Sequence, residues 1–133
     1  MEKEKSCGIV VFNNDTVLIV KHNVGHYGIP KGHVEDGETE QETAIREVKE
    51  ETNIDAKIIG DFRKKITYSP KKNVLKDVYF FAGITTSFEL TKPNDEIALA
   101  MFVPFEDAFK YITRRNERKV LKAAIDYYKK KII

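Results

Sequence analysis

Residues 32–54 read GHVEDGETEQETAIREVKEETNI, a loop opening on a glycine and running into an acid-rich segment. Thr39 to Thr52 contains Glu, Gln, Ala, Arg and Lys, all good helix formers, and neither Gly nor Pro. The segment is predicted to be a helix. Ala44, Ile45 and Val48 fall on one side of it and form an apolar stripe. With Glu47 at zero on a helical wheel, Glu51 lies about 40° to one side, Glu50 about 60° to the other and Glu40 about 20° away. One stripe therefore carries four carboxylates, has no Lys or Arg within it, and borders the buried face. Like charges at this spacing cost a helix ~0.2–0.5 kcal/mol per pair. Next to the core, where water screens least, a hard divalent cation would remove that cost. Magnesium takes oxygen ligands, using one or two carboxylates together with substrate phosphates. The loop supports the same chemistry. Gly32 allows close approach of backbone to a metal or phosphate. Glu38 stands at the helix entrance, where the helix dipole favours negative charge. Arg46, eight residues on, can reach back to Glu38.

On the N-terminal side, Cys7–Phe12 and Thr16–Lys21 are apolar, β-type runs on either side of Asn13-Asn14-Asp15, the pattern of a hairpin. His22–Gly37 holds four glycines and a proline and reads as one long loop. On the C-terminal side, Lys57–Tyr68 alternates, placing Ile58, Gly60, Phe62, Ile66 and Tyr68 on one strand face. A turn over Ser69–Asn73 leads to Asp77–Thr86, nearly continuously apolar like a strand at a sheet centre. Leu99–Val103 is a short strand ended by Pro104, and Phe105–Ile112 a short helix with Tyr111 facing the core. Glu117–Lys131 repeats Val120, Leu121, Ala124, Ile125 and Tyr128 at amphipathic spacing. Strands, helix, strands, helices in this order imply an α/β fold, a mixed sheet covered by helices on its faces.

The chain has 133 residues and no repeat or linker-like stretch, which suits one domain over residues 1–133. With 23 Lys+Arg against 21 Asp+Glu, the net charge of +2 excludes a general polycation that wraps nucleic acid, though not a local basic groove. No apolar run approaches the ~20 residues of a membrane span, and the N-terminus has no signal-peptide core. The single cysteine, Cys7, cannot form an internal disulfide and fits a buried small side chain in a reducing cytoplasm.

Gly32, Glu38, Arg46, Glu47, Val48, Glu50, Glu51 and Ile54 fit the Nudix box, G-x5-E-x7-R-E-U-x-E-E-x-G-U with U aliphatic. The departure is Asn53, where the box has a glycine that ends the helix. Asn is the next most tolerant residue for a left-handed conformation there. The resemblance to the Nudix hydrolases implies an α/β/α sandwich and magnesium-dependent hydrolysis of a nucleoside diphosphate linked to another group, manganese being a substitute metal. It implies Glu47, Glu50 and Glu51 as metal ligands with the Gly32 carbonyl, and Glu38–Arg46 as a supporting ion pair.

Outside the box the chain resembles the asymmetrical diadenosine tetraphosphate hydrolases. The features are residues 7–12 (CGIVVF), residues 30–35 (PKGHVE), Phe62–Tyr68 followed by Lys76–Phe81, Asp95-Glu96, and residues 105–108 (FEDA). Tyr27-Gly28-Ile29 fills the region where those hydrolases usually have Trp. The resemblance implies cleavage of the tetraphosphate to ATP and AMP, with Glu96 joining the site as ligand or base. Candidate substrate-binding residues are Lys31, His33, Lys72 and Lys76, with Tyr68 as a stacking platform for a base. Lys64, Lys65, Lys71, Lys72 and Lys76 cluster around one turn and suit a polyphosphate, or else guard an edge strand against pairing. His33 supports the loop or touches phosphate; His22 and His26 read as loop residues. The same site could remove pyrophosphate from the 5′ end of RNA or clean up damaged nucleoside triphosphates. A Nudix-fold sensor that binds a nucleotide without cleaving it is the reading from another class, opposed by the intact acid set Glu47, Glu50 and Glu51.

Overall fold

The computed structural model describes residues 1–131 apart from Thr91, Pro93 and Asp95. Its elements in chain order are β1 (Glu2–Asn13), β2 (Thr16–His22), β3 (Tyr27–Gly28), β4 (Lys31–His33), α1 (Glu40–Thr52), β5 (Lys57–Tyr68), β6 (Val74–Ile84), β7 (Ile97–Pro104), α2 (Phe105–Tyr111) and α3 (Arg115–Lys131). The strands form one mixed sheet with β3-β2-β1-β6-β5 as its path, β4 beside β1 and β7 beside β2. The architecture is the expected α/β/α sandwich.

The layers follow from β1. Its side chains alternate, and both of its faces are buried. Cys7, Ile9 and Val11 meet Ala44 and Val48 of α1, with Leu18, Ile54 and Phe81. Val10 and Phe12 meet Ala108 of α2 and Leu121, Ala124 and Tyr128 of α3. This two-sided burial explains why the segment reads as an unbroken apolar run. Parallel pairing with β6, from Glu2↔Val74 to Phe12↔Ile84, fixes β1 at the sheet centre.

The hairpin of β1 and β2 is closed only at its turn, by Phe12↔Val17 and Asn13↔Thr16. Beyond it the two strands diverge. Residues 27–33 fill the gap, β3 pairing with β2 at Val20↔Gly28 and β4 with β1 at Gly8↔Lys31. Buried Ile29 lies between them. The stretch expected to be one loop therefore contains two short strands. Their partners are distant in sequence, so local composition could not reveal them. A Cβ on Gly8 would collide with the Pro30 carbonyl and stand 2.7 Å from Lys31 Cβ, so glycine is what lets this segment reach β1.

α1 begins with a capping box. The Glu42 amide donates to Thr39 Oγ1 (3.1 Å) and the Thr39 amide to Glu42 Oε1 (2.8 Å). Its buried residues include Thr43, Ala44, Val48 and Thr52, whereas Ile45, expected in the apolar stripe, is 39% exposed. β5 also departs from its expected pattern. The register shifts between Ile58↔Gly83 and Arg63↔Phe81, and Gly60 takes φ +58°. The irregularity flips the faces. Ile58 packs on the α1 side, while Phe62, Ile66 and Tyr68 pack with α2 and α3. Tyr111, expected in the core, is 37% exposed and lies 4.8 Å, ring to ring, from Tyr27. Among the described residues no helix is long and apolar enough to cross a membrane.

Asn53 caps α1 at φ 69°, ψ 6°, the left-handed conformation expected of it, and its amide donates to the Lys49 carbonyl. Its side chain also donates from Nδ2 to the Glu89 carbonyl at 3.0 Å. Asn53→Gly relieves the backbone but loses that bond, so its stability is expected within about 0.5 kcal/mol of the parent. Asn53→Val is expected to cost ~1–2 kcal/mol through the Cβ clash. Urea midpoints measure both, and equal stability of the two variants would refute the left-handed cap.

Candidate active site

Arg46 ties the loop before α1 to the helix. Its Nε donates to Glu38 Oε2 (2.7 Å) and its Nη2 to Glu38 Oε1 (3.0 Å) and to the His33 carbonyl (2.9 Å). Nη1 donates to Glu47 Oε1 (2.6 Å) and Glu50 Oε2 (3.1 Å). The guanidinium holds the Glu38 carboxyl down to about 2, helped by the Glu35 amide and Thr43 hydroxyl. The carboxylates in turn raise the Arg46 pKa. The acid stripe, which has no cation on the wheel, is thus met at its edge by this long side chain. Glu40 leaves the group altogether. It pairs with Lys5 (2.8 Å) and Arg63 (2.8 Å), and its carboxyl falls to about 2, the Arg63 hydrogen bond contributing most.

The three remaining carboxylates of the stripe, Glu47, Glu50 and Glu51, line a cavity of about 300 Å³ together with Asn94 and Glu96. Glu47 is largely buried and Glu50 mostly exposed. Glu51 is 5% exposed, and its Oε1 is buried without a hydrogen-bond partner. Burial, then the charges of Glu47 and Glu96, push the Glu51 carboxyl up to about 8, with Lys31 opposing. Burial also raises Glu47, against the Arg46 hydrogen bond. Glu96 enters on the segment before β7, shaped by Asn94 Oδ1, which accepts from the amides of Glu96 (2.9 Å) and Ile97 (2.8 Å). Asp95 lies outside the described residues. A Cβ on Gly32 would collide with the Glu47 carboxylate, so only glycine lets that side chain lie against the loop backbone.

These donors fit a hard divalent cation: all are oxygen, the cavity is acidic, and one buried carboxylate oxygen lacks a partner. Among the described residues no three His, Cys, Asp or Glu side chains already converge as a ready-made chelate. Arg46 holds Glu47 and Glu50 by hydrogen bonds, so closing around a cation would require them to exchange one partner for another.

Cations collect on the neighbouring wall. Lys31 on β4 is within electrostatic reach of Glu51 on one side and of Lys76 and His22 on the other. Lys76 is half-buried, and burial followed by Lys31 lowers its pKa. Burial, then Lys31 and His26, push His22 down to about 4, and its buried Nε2 has no hydrogen-bond partner. Arg114 acts on Lys76, His22 and His26. Tyr68 pairs with Lys76 across β5 and β6. It lines a groove of about 530 Å³ with Ser69, Pro70, Arg114, Arg115, Asn116 and Lys119. Lys71 and Lys72 are exposed at the turn and line neither space. His33 is exposed, its Nε2 3.3 Å from Glu4 Oε1 and its carbonyl on Arg46, which matches a supporting role for the loop. The sequence reading missed Arg114 and Asn94 and treated His22 and His26 as loop residues. Their local signals in the sequence are the polar stretch at residues 113–116 and an Asn two residues before Glu96.

Burial of Glu51 makes stability depend on pH. On unfolding, its carboxyl returns to the ordinary range near ~4.3. Between there and about pH 8 the folded chain holds a proton that the unfolded chain releases, so this group's contribution to stability falls as pH rises through that window. Glu51→Gln is therefore expected to raise the melting temperature of the metal-free protein by ~5 °C or more at pH 8.5 and by much less at pH 5. Added magnesium should narrow the difference by stabilising the parent. Thermal unfolding at both pH values, with magnesium and with chelator, measures this. A pH-independent effect would place the Glu51 carboxyl in its ordinary range.

The pattern of the NUDIX domain matches residues 2–124. An RNA pyrophosphohydrolase from Nitratiruptor sp. is 32% identical over 113 residues, 76% of this chain and 72% of that protein. The asymmetrical bis(5′-nucleosyl)-tetraphosphatase of Mus musculus is 33% identical over 95 residues, 60% of this chain. The chain spans 65% of that relative's length, just under two thirds. The solved structure of a C. elegans Ap4A hydrolase binary complex matches with a TM-score of 0.84 and 25% identity, covering 94% of this chain and 97% of that one. The matched pattern takes in the capped acid helix, both halves of the split sheet and most of α3, and on that extent the chain belongs to the NUDIX domain family.

Proposed function

We propose that the protein hydrolyses a pyrophosphate bridge in a nucleoside polyphosphate, and that diadenosine tetraphosphate, cut asymmetrically to ATP and AMP, is the substrate the site fits best. One observation carries this reading: Lys31 joins an acid cavity suited to a divalent cation to a basic wall suited to phosphates, with Tyr68 beside Lys76 at its far end. Four bridged phosphates and a base would span these features in order.

Nudix hydrolases generally need a divalent metal ion, typically magnesium. Glu47, Glu50, Glu51 and the Gly32 carbonyl would hold it here. When bound, it supplies charge neutralisation on the phosphates and polarisation of the attacking water. The rest of the chemistry falls to the chain. Arg46 and Glu38 fix the loop that presents Gly32. Lys31 and Lys76 bind and align the phosphates. Glu96, which shares the cavity with the α1 acids, accepts the proton from water. Tyr68 stacks on a base, an interaction worth ~1–3 kcal/mol.

A second reading, removal of pyrophosphate from the 5′ end of RNA, draws support from the Nitratiruptor relative and from Arg114, Arg115 and Lys119 along the Tyr68 groove.

Purified protein with magnesium should convert diadenosine tetraphosphate to ATP and AMP, not to two molecules of ADP. Hydrolysis in ¹⁸O-labelled water locates the attacked phosphate. Glu51→Gln should lower turnover at least ~100-fold, the magnitude expected when a group that holds the metal is impaired. Tyr68→Ala should raise KM for the dinucleotide roughly ten-fold, with a smaller change for ATP. Lys76→Ala should weaken binding most at low salt. Preference for 5′-triphosphate RNA in the same panel would promote the second reading. Preference for simple triphosphates would refute both.

A further inference from the structure

Glu117 is one of the few buried charged residues, 2% exposed, and neither the metal cavity nor the stacking groove uses it. It stands in the first turn of α3, where the helix dipole favours a carboxylate. Its own amide is held by Asn116 Oδ1 at 2.8 Å. Its Oε1 accepts a hydrogen bond from the Ile29 amide at 3.2 Å. The carboxylate also lies over Gly28. A Cβ there would stand 3.1 Å from Oε1 and 3.5 Å from Oε2, so the missing side chain of Gly28 is the space that the carboxylate occupies.

The position of this contact gives it a consequence. Gly28 and Ile29 belong to the segment that bridges the divergence of β1 and β2. Two residues later the same segment delivers Lys31 and then Gly32 to the cleft. Glu117 also acts electrostatically on His26 and Lys76, opposing in part the burial and like charge that lower both. A buried carboxylate with one neutral hydrogen-bond donor would be costly. Here Lys76 and the helix terminus offset part of that cost.

We infer that Glu117 is a positioning residue: seated on Gly28 and hydrogen-bonded to the Ile29 amide, it fixes from α3 where Lys31 and Gly32 stand between the acid and basic walls. Its kinetic consequence rests on the hydrolase reading proposed above; its effect on the backbone does not.

The full chain is compared as parent, Glu117→Gln, Glu117→Ala, Gly28→Ala and the double variant of the two alanines. Glu117→Gln keeps an oxygen acceptor of the same reach. It should retain the protection of the Ile29 amide against hydrogen exchange, and kcat within about three-fold. Glu117→Ala removes the acceptor, and Gly28→Ala puts a Cβ 3.1 Å from Oε1, so the carboxylate must shift by a few tenths of an ångström. Glu117→Ala should speed exchange at Ile29 and lower kcat at least ~10-fold, the scale of a small misplacement of catalytic groups, and Gly28→Ala should do both to a smaller extent. The double variant should be no worse than Glu117→Ala alone, because the added methyl at position 28 acts only through the carboxylate that Glu117→Ala removes. A role confined to stability would lower the melting temperature and leave kcat of the folded protein unchanged. That result, or a glutamine variant as impaired as the alanine, would overturn the inference. If the parent hydrolyses no polyphosphate at all, the hydrolase reading fails, and exchange at Ile29 in Glu117→Ala against Glu117→Gln still decides whether Glu117 positions this segment.

Discussion

The site depends on one guanidinium. Arg46 bonds Glu38 through two nitrogens and also reaches the His33 carbonyl, so the loop leading into α1 is fastened to the helix by its own first turns. The remaining nitrogen contacts fall on Glu47 and Glu50. A planar donor with fixed fork geometry can make all these bonds at once, which an ammonium cannot. It offsets part of the charge crowded on α1, and it sets the Gly32 backbone beside the carboxylates. Without it the acid helix and the glycine loop would be two features near each other rather than one cavity.

Neutralisation is uneven, and it sorts the acids into two groups. Glu38 and Glu40 are each matched by cations and held well below the ordinary carboxylate range. Glu47 and Glu51 are pushed the other way, Glu51 with an unpartnered buried oxygen. A fold selected only for stability would not bury such a group beside two other carboxylates. Perturbation of this kind, by burial plus specific neighbours inside a cavity, is what functional sites accumulate. Lys76 and His22 mirror it on the basic wall, where burial and like charge lower both.

The divergence of β1 and β2 brings these opposed walls together. A hairpin closed along its whole length would leave no room for residues 27–33. Opened beyond Phe12↔Val17, it admits a segment whose two ends are hydrogen-bonded to different strands. Gly8 and Gly28 make the room, the first for Pro30 and Lys31 against β1, the second for Glu117 from α3. The α1 side of the sheet supplies acids, and the α3 side contributes Tyr68 and the residues around Arg114. Lys31 emerges where they meet.

The sequence by itself determined the local features. The capping residues and composition of Thr39–Thr52 specify a helix, and the spacing of Glu47, Glu50 and Glu51 puts three acids on one side of it. Asn53 could be read as a left-handed cap because that requirement is local to one residue. Apolar runs marked β1 and β6, and amphipathic spacing marked α3. Only the tertiary structure decided what lies opposite those acids. It sent Glu40 to Lys5 and Arg63, set Arg46 against Glu47 and Glu50, and exposed Ile45 and Tyr111. It inverted Ile58 relative to Phe62 through an irregular register that no alternation count contains. It also placed Arg114 and Glu117 against residues some ninety positions earlier in the chain. Helix periodicity and capping are set by neighbours within a few residues, whereas strand pairing, ion-pair choice and wall-to-wall placement depend on groups that meet only after the sheet has formed.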